Sequence, residues 1–224
     1  MFCGNIYIRY ICNICMYPFL TLVMIFSILL LTLILLWRFY FLRNPTIFID
    51  PNPKAILSPA NGIIAKILPY KNENKIAEKG LYGKIPLITK DVAKEGCIVL
   101  IRLHVYNVHW QRSPINGKIE HTRYISGKFF NAVKNAESMQ CFFENERNEI
   151  LITGKIKCKV IQIAGYLARR IECFVKESQH VSAGEIVGLI NLGSQCAIIL
   201  PKNVNLNIRE GDKVQLGQKI GEIQ

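Results

Sequence analysis

Val175-Lys-Glu-Ser-Gln-His-Val-Ser-Ala-Gly-Glu-Ile-Val-Gly-Leu-Ile190 returns further on as Ile208-Arg-Glu-Gly-Asp-Lys-Val-Gln-Leu-Gly-Gln-Lys-Ile-Gly-Glu-Ile223. Both copies follow one skeleton: apolar, basic, Glu, two residues, basic or His, Val, two residues, Gly, then apolar-Gly-x-Ile. Each copy reads as strand, turn, strand, and glycines at matching places predict matching backbone bends. Outward from this repeat the same texture continues. From Asn44-Pro45 onward, short apolar runs alternate with turn signals: Ala55–Leu57, Ile63–Leu68, Cys97–Val108, Gly117–His121, Glu149–Ile152 and Lys157–Ala164. Runs spaced this tightly predict an all-β or mostly β sandwich or barrel. Asn116-Gly117 between apolar flanks predicts a hairpin. Only Asn131–Met139 reads as a short helix.

The paired copies resemble the half-motifs of barrel-sandwich hybrid folds, the architecture of biotinyl and lipoyl carrier domains. A carrier needs a Lys displayed on its hairpin tip. The segment between the copies, Asn191-Leu-Gly-Ser-Gln-Cys196, has no Lys and has Gly-Ser instead. The expected fold class is therefore a mostly β, barrel-sandwich-hybrid-like domain that follows an N-terminal transmembrane helix.

That helix is read from Phe19–Leu36, FLTLVMIFSILLLTLILL, which no charge interrupts. It is about long enough to cross a hydrocarbon core, and no small-x-small cleavage site follows it. Trp37, Arg38, Phe39, Tyr40 and Arg43 form an aromatic and basic collar. The preceding Ile6–Tyr17 is apolar but too short to span, and Pro18 is expected to divide it from the span as an interfacial segment. Residues 1–45 thus read as anchor and collar, and 46–224 as the soluble domain. Arg38, Arg43 and Lys54 on one side of the span, against Arg9 on the other, place the domain on the cytoplasmic face of a cell (inner) membrane.

The chain has 224 residues, half of them apolar, and a formal net charge of +12. Such charge suits anionic partners. It is not gathered into Lys/Arg blocks and has no aromatic interleaving, so no nucleic-acid partner is expected. Eight cysteines are scattered through mostly apolar runs, as small hydrophobes are. Cys12-x-x-Cys15 lacks a second pair, so no metal site is expected. Such spacings fit a reducing compartment better than a disulfide framework.

A set of motifs follows in one order along the chain. Phe41-Leu-Arg-Asn-Pro45, Ser58-Pro-Ala-Asn-Gly62, Asn107-Val-His-Trp-Gln-Arg-Ser-Pro114, Gly127-Lys-Phe-Phe-Asn-Ala132, Gln162-Ile-Ala-Gly-Tyr-Leu-Ala-Arg-Arg170 and Leu192-Gly193-Ser194 are its members. Together they resemble the phosphatidylserine decarboxylase proenzymes, in their short bacterial form, over about residues 38 to 224. The family counterparts read Phe-Arg-Asp-Pro, Ser-Pro-Ala-Asp-Gly, Asp-Val-His-x-Asn-Arg-x-Pro and Leu-Gly-Ser or Phe-Gly-Ser.

The resemblance implies a chemistry. Amino-acid decarboxylation needs an electron sink that side chains do not supply, and a ketone that captures the amine does supply it. The family makes its own ketone. The Ser194 hydroxyl would attack the Gly193 carbonyl and turn the peptide bond into an ester. β-Elimination would then leave dehydroalanine, which hydrolyses to a pyruvoyl group and ammonia. Cleavage at 193/194 would give a β chain, 1–193, and an α chain, 194–224, that stay partners. Gly193 suits the close approach that such attack requires. The implied cofactor is the covalent pyruvoyl group derived from Ser194. The substrate would be phosphatidylserine in membrane lipid, the product phosphatidylethanolamine. An oligomer is compatible with the sequence. His109 is the candidate for proton work, because its ordinary pKa lies near neutrality. His104, His121 and His180 carry no such motif and read as structural.

The chain also departs from the family pattern. Asn61 stands where the family has the Asp of an Asp-His-Ser arrangement that drives self-cleavage. Asn can orient a partner but carries no charge, and loss of that charge in an analogous triad costs orders of magnitude in rate. Asn107 likewise replaces Asp, and Arg112 stands in place of the second His of the long form, as in other short forms. Asn61, His109 and Ser194 are the candidate catalytic residues, with Gly193–Ser194 the cleavage site. Two alternatives remain at this level. One is a membrane-fusion adaptor, which would insert a long coiled-coil hairpin between its half-motifs. The other is a decarboxylase homologue that does not cleave.

Overall fold

A computed structural model of the chain describes residues 4–72, 85–131, 139–166, 170–190 and 194–224, with side chains described from Tyr17 onward. The chain forms two compact units, Met1–Arg43 and Asn44–Gln224.

In the first unit, helix α1 (Gly4–Leu35) runs without a break through Pro18 and continues as a π-helical turn over Leu36–Phe41. The expected division at Pro18 is absent. Proline removes one backbone donor and crowds one carbonyl, which an apolar helix tolerates when hydroxyls and neighbouring turns take up freed backbone groups. Further along, Thr21 Oγ1 donates to Pro18 O and Thr32 Oγ1 to Ile28 O, each at 2.8 Å, so both hydroxyls bond back to their own helix. Tyr17–Phe41, 25 residues, is long and apolar enough to cross a membrane. At its end the rings of Trp37 and Phe41 stack at 4.5 Å, and the Arg43 guanidinium lies 4.4 Å from the Tyr40 ring centroid.

The second unit is mostly β, as the sequence predicts, and is built of two similar halves. One half contains β1 (Ala55–Leu57), β2 (Gly62–Lys71), β3 (Glu95–Leu103), β11 (Ser194–Pro201), β12 (Val204–Leu206), β13 (Lys213–Val214) and β14 (Lys219–Ile223). The other contains β4 (Trp110–Arg112), β5 (Gly117–Ile125), β6 (Arg147–Gly154), β7 (Lys157–Ile163), β8 (Ile171–Cys173), β9 (His180–Val181) and β10 (Ile186–Ile190). It is inserted whole between β3 and β11. The eight-stranded sheet reads β13-β2-β3-β11-β7-β6-β5-β9, which is the same from either end once the halves are matched. The three-stranded sheets β1-β14-β12 and β4-β10-β8 match in the same way.

The hydrogen bonds repeat as well. Leu57 N donates to Pro114 O and Arg112 N to Pro59 O, both at 3.0 Å, so the halves exchange bonds reciprocally. Ser58 N bonds Gln218 O while Ser113 N bonds Glu185 O, and Gly217 N bonds Ser58 O while Gly184 N bonds Ser113 O. β2 shifts register between Ile64 and Lys66, and β5 between Ile119 and His121. Ser58–Gly62 and Ser113–Gly117 are therefore equivalent corners. Each is closed by its serine hydroxyl donating to the carbonyl two residues on, at 2.7 Å. This overturns the hairpin expected at Asn116-Gly117. β4 and β5 do not pair; the chain there passes from one sheet to another. Gly117 is needed because a Cβ would press into Thr153 O of the adjacent strand, and Asn116 Oδ1 accepts from Ala183 N at 2.7 Å.

Alternation along the strands sorts the core into two faces. Val99, Ile101, Leu103, Ile150, Ile152, Cys158, Val160, Cys196, Ile198 and Leu200 pack inward with Ile56, Ile64 and Ile220. Ile98, Leu100, Leu151, Ile161, Ala197 and Ile199 face the other way. They are covered by α2 (Ile85–Thr89) and α3 (Gln140–Glu144). The helix expected over Asn131–Met139 falls largely on 132–138, outside the described residues; α3 begins directly after it.

The turns of the long repeat carry positive φ at equivalent glycines, +80° at Gly184 and +78° at Gly217. The extended chain before β1 rests on both: an added Cβ would meet Ile49 and Ile47 at Gly184, and Ile47 at Gly217. Gly217→Ala therefore combines left-handed strain with a blocked contact. It is expected to cost about 1–2 kcal/mol, read as a lowered melting temperature in detergent, whereas Gly211→Ala, with open space around its Cβ position, should lose less.

Candidate active site

Ser194 is the first residue of β11 and pairs with Leu103 of β3. Strand alternation turns it to the inward face, in line with Cys196 and Ile198. Its side chain is fully buried, and its hydroxyl has no hydrogen-bond partner among the described residues. A buried unbonded hydroxyl is costly. The other half does not bear that cost. There Gly154 stands where Leu103 stands, and the residue that bonds it across the ladder is the apolar Ile156. Gly193, the other half of the expected cleavage site, lies outside the described residues.

His109 lies just before β4 and is also fully buried. Its Nδ1 is 2.8 Å from Asn107 O. A carbonyl can only accept, so Nδ1 carries the proton, and in the neutral ring Nε2 is left as the basic nitrogen. The main chain of His109 is held too. Ile190 N, at the end of β10, and Gln111 Nε2 both donate to His109 O, at 3.1 Å and 2.7 Å. Ile190 is the last described residue before Ser194, so the same carbonyl anchors the strand that leads to it.

Asn61 and Asn107 share one hydrogen bond. Asn107 Nδ2 donates to Asn61 Oδ1 at 2.5 Å. Asn107 is fixed in turn by its own tight loop, where His104 N donates to Asn107 Oδ1 and Asn107 N to His104 O. The structure thus links Asn61, Asn107 and His109, with Asn61 reaching His109 through Asn107 and not directly. Arg112 is drawn elsewhere: its guanidinium donates to Gly184 O at 2.7 Å and Asn44 Oδ1 at 2.6 Å. It clamps the corner instead of joining Asn61.

The remaining histidines do not converge on this place. His104 stacks on Tyr106 at 5.2 Å, and its pKa is pushed down by burial and then by Arg102. His121 lies 3.6 Å from Asp91, and His180 is an exposed residue of β9. Among the described residues no cluster of His, Cys, Asp or Glu could hold a metal ion. The cysteines with described side chains, Cys97, Cys141, Cys158, Cys173 and Cys196, are all free. Cys196, two residues from Ser194, is poor as a nucleophile. Burial pushes its thiol, like that of Cys158, far above the ordinary range, so little thiolate exists at neutral pH.

Gln111 and Gln162, each inside one of the sequence motifs without a role of its own there, join the candidate site. Both are fully buried, and Gln162 Nε2 donates to Gln111 Oε1 at 2.9 Å. Their separation in sequence hides the link, and only the fold brings β4 and β7 together.

Against known proteins, a family model described as phosphatidylserine decarboxylase matches residues 34–222. A phosphatidylserine decarboxylase proenzyme of Rickettsia bellii is 38% identical over 186 residues, which cover 82% of this chain and 73% of that one. One from Wolbachia sp. subsp. Brugia malayi is 39% identical over 184 residues, 81% of this chain and 73% of that one. Among solved structures, the glucose permease IIA from Mycoplasma capricolum aligns with 79% of this chain and 98% of its own. Its 16% identity and TM-score of 0.39 are too low to argue from.

The thiol environments make a direct test of site burial. At pH 8, alkylation of the native protein should modify exposed Cys173 and leave Cys158 and Cys196 untouched by peptide mass mapping. Modification of Cys196 ahead of Cys173 would mean that the Ser194 face is open.

Proposed function

The chain belongs to the phosphatidylserine decarboxylase family, and from that premise we propose that it converts phosphatidylserine to phosphatidylethanolamine and CO2 after cutting itself between Gly193 and Ser194. The observation that carries the reading is the Ser194 hydroxyl: buried, without a partner among the described residues, and at the head of a strand whose counterpart half has Ile156 instead.

A buried hydroxyl with no partner among the described residues is available to the carbonyl of the peptide bond that precedes it in sequence. Attack of Ser194 Oγ on the Gly193 carbonyl forms a C–O bond. The C–N bond then breaks, and the hydroxyl proton passes to the nitrogen. Loss of the Ser194 Cα proton expels the Gly193 carboxylate from Cβ. Water then replaces the nitrogen, which leaves as ammonia. The position fits the group so formed, because the Ser194 Cβ, which would become its methyl, points into the apolar inward face with Cys196 and Ile198. The pyruvoyl group supplies a ketone for the substrate amine and an electron sink for the bond to CO2.

The chain's own residues do the rest. His109, with Nδ1 held by Asn107 O and Nε2 the basic nitrogen of its neutral ring, serves in proton transfer to the carbon that has lost CO2. Asn61 and Asn107 hold the loop that aims it. Strands β11–β14, the whole α chain, stay laddered to β3, β7, β1 and β2, so the two products of cleavage remain one domain. The 25-residue apolar helix anchors the enzyme in the inner membrane, with the domain on the cytoplasmic side. The adaptor alternative fails on its hallmark: the described helices between residues 67 and 174 are five residues each.

A denaturing gel and mass spectrometry of purified protein should show two chains, the smaller starting at residue 194 with a blocked N-terminus. Ser194→Ala should abolish both cleavage and conversion of phosphatidylserine. His109→Ala should keep some cleavage and lose most conversion. An intact wild-type chain in folded protein would refute the proposal, and normal conversion by His109→Ala would remove the histidine from the mechanism.

Asn61→Asp tests the departure from the family. Asn107 Nδ2 is already aimed at position 61 and would become a charge-assisted donor to a carboxylate. Restoring the charge is expected to speed maturation in a time course after synthesis. Equal or slower cleavage would show that the amide pair is what this chain requires.

A further inference from the structure

The two halves of the domain allow one molecule to serve as its own control. In one half a chain of buried amides runs from the sheet to the candidate active site. Asn148 Nδ2 donates to Gln162 Oε1 at 2.9 Å, Gln162 Nε2 to Gln111 Oε1 at 2.9 Å, and Gln111 Nε2 to His109 O at 2.7 Å. Gln162 Nε2 also reaches Glu172 O at 3.2 Å. Gln111 and Gln162 are fully buried and Asn148 is 4% exposed. Gly188 makes room for the chain, since a Cβ there would press on Gln162.

The other half has none of it. Gln111 stands two residues before Ser113, and Ile56 two before Ser58. At the register shifts, Ile119 faces Ile152 and Ile64 faces Ile101. Four residues back along each strand stand Asn148 and Cys97. Their partners across the ladder are Gln162 and Leu200. So Gln111, Gln162 and Asn148 correspond to Ile56, Leu200 and Cys97, which pack in or against the inner core. The backbone is satisfied by apolar side chains at these places. Burying three amides is costly unless every bond is made, and the fold does not ask for it.

We infer that Asn148, Gln162 and Gln111 are positioning residues, which fix the His109 main chain and, through the Ile190 bond to the same carbonyl, the strand end that leads to Ser194. This rests on the decarboxylase reading of His109 and Ser194. Truncating the chain of amides leaves both side chains present and lets the His109 carbonyl, which Gln111 and Ile190 both hold, drift. Misplacement on the order of 1 Å is enough to slow a reaction by one to two orders of magnitude.

The test writes the apolar half into the polar one: the triple variant Gln111→Ile, Gln162→Leu, Asn148→Cys, in the full chain in detergent. It should melt cooperatively, cleave itself at least about tenfold more slowly than wild type, and show a lower kcat per matured chain at unchanged KM. Gln111→Met, close in volume, should show the same split in milder form. A folded variant that cleaves and turns over like wild type overturns the inference. So does loss of cooperative melting in both variants, since the amides would then be core elements and not a positioning device. A wild-type chain that neither cleaves nor decarboxylates would bring down the functional reading itself. Wild-type activity matched by the variants would bring down this inference alone.

Discussion

The ladder between β7 and β11 is the contact on which the domain depends. Its pairs run from Gln195↔Ile163 to Ile199↔Lys159, at the centre of the eight-stranded sheet, where one half meets the other. Neither half can close its core alone. β11 brings Cys196, Ile198 and Leu200 to the inner face and Ala197 and Ile199 to the outer, all fully buried. At about 1.5–3 kcal/mol for each large apolar side chain, this strand is among the most costly to remove. It is also the strand that begins with Ser194. The proposed nucleophile is therefore placed by a buried strand paired on both sides, which suits a reaction whose first step needs its geometry before any substrate arrives.

The matching of the two halves separates what the backbone requires from what the candidate site adds. Where the halves agree, as at the serines of the Ser-Pro-x-Asn-Gly corners, the paired bulges and the positive-φ glycines, the residues serve the backbone. Where they differ with burial kept, the fold is indifferent and another demand is visible. Ser194 against Ile156 and Gln162 against Leu200 are such differences: the first heads β11, and the second reaches His109 O through Gln111. Not every polar residue in the core belongs to this set. Lys159, 1% exposed, meets Asp91 at 2.7 Å and Glu149 at 3.4 Å on the opposite face of the sheet. That cluster pairs its charges internally, which burial requires.

Much of this was legible in the sequence, for physical reasons. The long repeat is contiguous, so its strand–turn–strand units follow from local pattern alone, and β9–β10 and β13–β14 fall where it put them. The site residues were reachable because each sits in a short motif. The rest depends on contacts between distant segments. Ser58-Pro-Ala-Asn-Gly62 and Ser113-Pro-Ile-Asn-Gly117 are visibly alike, yet each is short, and one was absorbed by a hairpin reading of its Asn-Gly. Gly117 answers a close approach to Thr153 O, which no local rule reveals. Pro18 reads as a break only if water competes for the freed carbonyl. Gln111 and Gln162 each sit in a sequence motif, but nothing in the sequence links them until β4 and β7 lie together.

The two departures from the family pattern, Asn61 and Asn107, acquire a common explanation from their contact. Carboxylates at both positions would face each other as acceptors and could share the space only by holding a proton between them. An amide pair needs no such proton: Asn107 Nδ2 donates and Asn61 Oδ1 accepts. The bond between them then contains no titratable group. What is given up is a negative charge near the imidazole, and with it part of the stabilisation of its protonated form. What is kept is the tautomer, because the acceptor at Nδ1 is the main-chain carbonyl of Asn107 and not a side chain. Geometry and charge, usually supplied by one carboxylate, are separable here. The structure retains the first without the second.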